Sequence, residues 1–271
     1  KRLAWTLGLV SLYMIAEVLG GLLTGSLASL ADAGHMLSDA ASLGLALFAM
    51  WIAGRPASSE KTYGYYRAEI LAALFNGATL LAISVYIFWE AYQRFREPTE
   101  VMGPLMLGVA TGGLVVNLIG LWLLQGGKSE SLNVRGAWLH VLGDTLGSVG
   151  AMAAGGLIWA FEWYWADPLA SVIIGVLILV SAWSLLRETV AVLMESAPGH
   201  IDVDEVRDAI RAVDGVQAVH DLHIWTITSG LIALSAHVDV ETLDGYDQCL
   251  QTIRELLDEQ FGIDHTTIQL E

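Results

Sequence analysis

The sequence predicts an all-α transmembrane domain of six helices followed by a small α+β domain in the order αββαβ. Three observations carry that prediction. Of the 271 residues, 55% are hydrophobic and 15% are charged, whereas soluble domains carry about a quarter of charged residues. The apolar residues gather into six runs, and each is long enough for a bilayer, which takes roughly 20 residues of helix. Charge then divides the chain. Residues 1–187 hold twelve acids and ten bases, and 188–271 hold seventeen acids and three bases, so the net charge of −16 splits as −2 and −14. The expected domains are therefore 1–187 in the membrane and 188–271 outside it.

The spans are expected at about 4–25, 31–53, 68–90, 103–124, 133–161 and 168–187. Pro56, Pro98, Pro104 and Pro168 fall at or just beyond their ends, where a missing backbone donor costs least. An even number of spans puts both termini on one side. If that side is the cytoplasm, its segments hold Lys1, Arg2, Arg55, Lys61, Arg67, Lys128, Arg135 and Arg187, against Arg94 and Arg96 opposite. Basic residues favour the cytoplasmic face, so both termini are placed there. Glycine pairs four apart, such as Gly108 with Gly112 and Gly143 with Gly147, suit close helix approach. Lys1 is not an initiator methionine, so a preceding segment is expected, and the first apolar run is too long for a cleaved signal peptide.

Past Arg187 the periodicity changes. Residues 202–213 read as an amphipathic helix capped by Asp202, and 243–261 as a second helix stopped by Gly262. Residues 216–227 and 231–240 read as strands joined at Ser229-Gly230, and 265–271 as a third. Helices on one face of a sheet make a small α+β layer. Its acidity disfavours nucleic acid and anionic lipid and attracts cations. The single cysteine, Cys249, allows no intrachain disulfide and no cysteine zinc site.

Two stretches share one spelling, His35-Met-Leu-Ser-Asp39 and His140-Val-Leu-Gly-Asp144. Each places an imidazole and a carboxylate on one helical face, inside an apolar run where ionisable groups are costly and mark ion or proton paths. Two such helices facing each other would offer two nitrogens and two oxygens to one ion, a tetrahedral set that suits zinc. The alternative is a pair of interhelical hydrogen bonds that only hold the bundle. Asp32 lies on the same side as His35 and reads as a supporting or entry residue rather than a ligand. Glu17, Glu69, Asn76 and Asn117 are further polar residues in or near spans, and each could line a wet cavity or bridge helices.

Five of the seven histidines lie in the tail, at 200, 220, 223, 237 and 265. His237 alternates against Ile232, Leu234, Ala236 and Val238 and so points away from the apolar face. Sheet pairing could bring His220, His223 and His237 near Glu271, with Asp221 and Asp264 as further carboxylates. The alternative is scattered surface histidines.

With the two His-x-x-x-Asp pairs on the second and fifth spans, the chain resembles the cation diffusion facilitator family, in its bacterial zinc-efflux branch. The words SLASLADAGHMLSDAASL, TYGYYRAEILAALFN, NVRGAWLHVLGDTLGSVGA, ADPLASVIIGVLIL, VHDLHIWTI and HTTIQLE carry the resemblance across nearly the whole chain. It implies a homodimeric zinc/proton antiporter of the bacterial inner membrane, with a metallochaperone-like cytoplasmic domain. It implies a transport site at His35, Asp39, His140 and Asp144, and two histidines there point to zinc with cadmium tolerated. It implies a regulatory zinc site at His220, His237 and Glu271, and a membrane-to-tail salt bridge between Arg67 and Glu195. Tyr65 and Tyr66 stand where some relatives place a histidine, so no extra site is expected there. The loop QGGKSES lacks the histidines of many eukaryotic relatives. Zinc would be cargo and tail ligand, with protons as counter-ion. No His-Glu-x-x-His is present and four ligands leave no open coordination position, so an enzyme is not expected. The other readings are a zinc sensor that does not transport and a transporter of another divalent metal.

Overall fold

A computed structural model describes residues 2–24, 27–97, 103–161, 163, 165–241 and 246–271. Side chains are described for all of these except 17, 20–24, 27–36, 38, 103–110, 151, 154, 155, 158, 166, 167 and 170. The chain forms two compact units, residues 1–189 and 190–271.

The first unit is helical: α1 (Arg2–Thr24), α2 (Leu27–Ala53), α3 (Arg67–Arg96), α4 (Gly103–Gln125), α5 (Leu132–Phe161) and α6 (Ala166–Leu193), the last of which runs on into the second unit. Among the described residues, Arg67–Arg96 and Ser171–Leu193 are long and apolar enough to cross a membrane. Two buried clusters hold the unit together. One joins Leu3 and Val10 of α1, Leu43 and Ala46 of α2, Val116 and Leu124 of α4, and Val134, Ala137 and Val141 of α5. The other joins Ala73 and Leu80 of α3, Leu139 of α5, and Ile178, Ala182 and Leu185 of α6. Helix α5 contributes to both, so its opposite faces are buried by different neighbours.

Two helices run six residues past the expected C-terminal ends of their spans, and each has a polar reason. Helix α3 continues past residue 90 to Arg96, with Glu90 accepting from Arg94 one turn on. Helix α6 continues past Arg187 to Leu193, with Glu188 paired to Arg135 of α5 and Thr189 bonded to the Leu185 carbonyl. Apolar length measures the bilayer, whereas the helix ends where its hydrogen bonding ends. That end is a left-handed turn at Glu195 (φ 58°), where Ser196 N–H bonds the Ala191 carbonyl.

The second unit follows as α7 (Val203–Arg211), β1 (Val216–Thr228), β2 (Leu231–Val240), α8 (Tyr246–Phe261) and β3 (His265–Leu270). The Asp202 carboxylate caps α7 by accepting from the Asp204 N–H at 2.9 Å. The sheet order is β1-β2-β3, antiparallel then parallel. Val206 and Ile210 of α7 and Ile253 and Leu257 of α8 pack on Val219, Ile224, Leu234, Val238 and Ile268. Both helices thus cover one sheet face and leave the other open. Strand β1 carries a bulge between His220 and His223, where Asp221 takes φ 47°. Gly230, at φ 77°, turns β1 into β2.

Candidate metal centre

Helix α5 presents His140 and Asp144 one turn apart, and Nε2 of His140 lies 3.8 Å from Oδ2 of Asp144. Packing of α2 on α5 brings Oδ1 of Asp39 within 3.2 Å of that same nitrogen. Donor atoms of the three residues lie within 4.8 Å of one another. Asp39 is 5% exposed and His140 4%, among Leu43 and Val141 of the first cluster. His35 sits one turn before Asp39 on α2, and Asp32 a turn earlier; both side chains lie outside the described residues.

The chemistry follows from burial. A carboxylate taken out of water is costly unless a positive charge or hydrogen bonds replace its hydration. Here two carboxylates flank one ring nitrogen. A proton on the ring offsets one negative charge; a divalent cation offsets two and coordinates nitrogen and oxygen together. Zinc accepts this donor set and takes four ligands, so three donors leave one position for another residue. Proton and metal compete because imidazole binds metal only without its proton.

Helix α5 and the residue before it make further polar contacts with neighbouring helices, and of these only Glu69 stood out in the sequence as a possible bridge. Asn133, fully buried on α5, donates from Nδ2 to the Ala46 carbonyl of α2 at 2.7 Å. Arg135 of α5 bonds Glu188 and also Ser184 of α6. Ser131 bonds Glu69 of α3, and its hydroxyl accepts from the Val134 N–H at the start of α5. A polar residue at the edge of an apolar run looks like a solubility feature until its partner is known. Of the salt-bridge candidates, Arg67 opens α3 in the first unit and Glu195 follows α6 in the second.

The open face of the tail sheet carries a second cluster. His220 and His237 are opposite in the β1–β2 register, with ring centroids 5.3 Å apart. Nε2 of His220 lies 3.1 Å from Glu271 and 3.4 Å from Asp239. Nδ1 of His237 lies 3.3 Å from Glu271, and Asp221 stands 3.9 Å from Nδ1 of His220. Asp239 went unremarked in the sequence, although two residues after His237 it had to share that strand face. The hydrogen bond with His237, then that from Gln269, holds the Glu271 carboxyl below the usual glutamate range, and the charges of His237 and His220 add to this. The side chains of His220, His237 and Glu271 are 46%, 38% and 40% exposed, so water screens this cluster as it does not screen the helical one.

A family model described as the cation efflux transmembrane domain matches residues 4–194, and one described as the cation efflux protein cytoplasmic domain matches 198–271. The chain is 49% identical to the cadmium, cobalt and zinc/H(+)-K(+) antiporter of Bacillus subtilis, over 96% of this chain and 85% of that one. It is 43% identical to the metal cation efflux system protein CzcD of Cupriavidus metallidurans, over 100% of this chain and 86% of that one. It is 44% identical to the zinc transporter ZitB of Pectobacterium atrosepticum, over 100% of this chain and 85% of that one.

Proposed function

The chain belongs to the cation efflux family, and from that premise we propose that it exports zinc, with cadmium and cobalt as further cargo, in exchange for protons. The carrying observation is the convergence of Asp39, His140 and Asp144 donor atoms within 4.8 Å, between two apolar helices. His35, a turn from Asp39, is proposed as the fourth ligand. The relatives named for zinc, cadmium and cobalt support that choice of cargo. In this reading α1–α6 are six spans of a bacterial inner membrane, and both termini face the cytoplasm. Residues 188–271 form a cytoplasmic αββαβ domain that pairs two copies and binds regulatory zinc at His220, His237 and Glu271. The description of the second family model as a cytoplasmic domain supports its location.

Coupling needs no covalent step. When the centre opens to the cytoplasm, the imidazoles and carboxylates give up protons to bind the metal. When it opens to a more acidic exterior, protons compete for the same atoms and the metal leaves. Alternating access then amounts to α2 and α5 opening first to one side and then to the other. In sealed vesicles under an imposed pH gradient, Asp39→Ala and Asp144→Ala, each of which removes a ligand, are expected to abolish zinc flux while remaining folded. Full flux by either variant would remove the centre from the mechanism, and no flux by the unaltered chain would leave a sensor instead.

A further inference from the structure

We propose that Asn133 is a positioning residue for the metal centre: its carboxamide, donated to the Ala46 carbonyl, holds α5 against α2 at the separation that brings Asp39 onto His140. This inference rests on the transport reading above and adds a residue to it. Asp39 and Ala46 are seven residues apart on α2, and His140 and Asn133 are seven apart on α5 in the opposite sense. The two contacts therefore lie on one antiparallel seam, a heptad apart, or about 10 Å along the axis at 1.5 Å per residue.

The carboxamide is short, so it can reach the backbone of another helix only where the two axes come close. Ala46 and Ala137, both fully buried on this seam, allow that approach. The acceptor is a backbone atom held by α2 itself, so its position relative to Asp39 is set by helix geometry and not by a rotamer. Leu43, Val134 and Val141 enclose the seam in apolar contacts.

Among the described residues, Oδ1 of Asn133 is buried without a hydrogen-bond partner, and so is Nδ2 of Asn76 on α3. A buried polar atom left unpaired is costly, and an apolar residue of the same shape would suit the packing better. What the carboxamide contributes instead is one fixed distance between the two helices that share the metal. Coordination tolerates errors of only about half an ångström in its donors.

The test uses the full chain. Zinc flux in proteoliposomes gives KM and Vmax. Visible absorption of bound Co2+, in a His220→Ala and His237→Ala background that silences the tail, reports the geometry of the membrane centre. Asn133→Leu is expected to fold, to raise KM for zinc by about tenfold or more, and to leave Vmax within about threefold, matching partners of metal ligands elsewhere. The tetrahedral Co2+ bands should weaken, and Asn133→Gln, which keeps the amide, should restore part of them. Asn133→Ala replaces the leucine variant should that one not accumulate. An unchanged KM and spectrum, a loss confined to Vmax, or failure of both variants to fold would each overturn the proposal, the last two because they make the contact merely structural. His140→Ala with full flux and unaltered bands would instead sink the centre itself, whatever Asn133 does.

Discussion

The Nε2 atom of His140 faces carboxylates at 3.2 and 3.8 Å, and that of His220 faces carboxylates at 3.1 and 3.4 Å. The two arrangements are alike in atoms and differ in solvent. Among apolar helices the Asp39 and His140 side chains are 8% and 5% exposed, so their mutual attraction is screened little. On the open sheet face, water and salt screen the same charges. Glu271 offers a pH test. Because its folded carboxyl sits below the ordinary glutamate value, its contribution to tail stability is present above the unfolded value and is lost as pH falls through the depressed one. A carboxyl-carbon NMR titration should find its midpoint below that of an ordinary glutamate. His237→Ala should move that midpoint back up, and a midpoint unmoved by the substitution would assign the shift to something other than the imidazole.

At the level of elements, local chemistry sets most of the boundaries. Helix α7 starts where Asp202 accepts from the Asp204 and Glu205 N–H groups. Asp202→Ala should cost about 1 kcal/mol of tail stability, the usual worth of such a cap, and chemical denaturation of the tail measures it. A smaller cost than a few tenths would mean that burial of Val206 and Ile210 alone sets the helix. Strand β1 is a case where alternation misleads. The bulge at Asp221 shifts the pairing, so that His220 and His223, three apart, both fall opposite residues of the open face, His237 and Ser235. A strict period of two would have sent them to opposite faces.

At the level of the molecule, two units carry separate cores and separate charge. The tail buries Ile210, Leu234, Val238, Ile253, Leu257 and Ile263 among its own elements. Residues 198–271 made alone are therefore expected to unfold in one cooperative transition, with a midpoint that rises when zinc is added. A noncooperative melt would show that the tail depends on the helical unit for its fold, and a midpoint indifferent to zinc would empty the sheet-face cluster of its role.

Much of this was legible in the order of residues. A helical membrane region followed by a small domain of helices and a three-stranded sheet follows from composition, because apolar runs and acidic stretches cannot share one solvent. The stacking of His140 over Asp144 follows from helical spacing, and the outward aim of His237 from strand alternation. Tertiary structure alone decided how closely Asp39 of α2 approaches His140 of α5, that Asn133 reaches the Ala46 carbonyl, and that Asp239 joins His220. Spacing within one element is a property of its backbone. The meeting of two elements depends on which buried surfaces fit together, and no local stretch of sequence contains both halves of that fit.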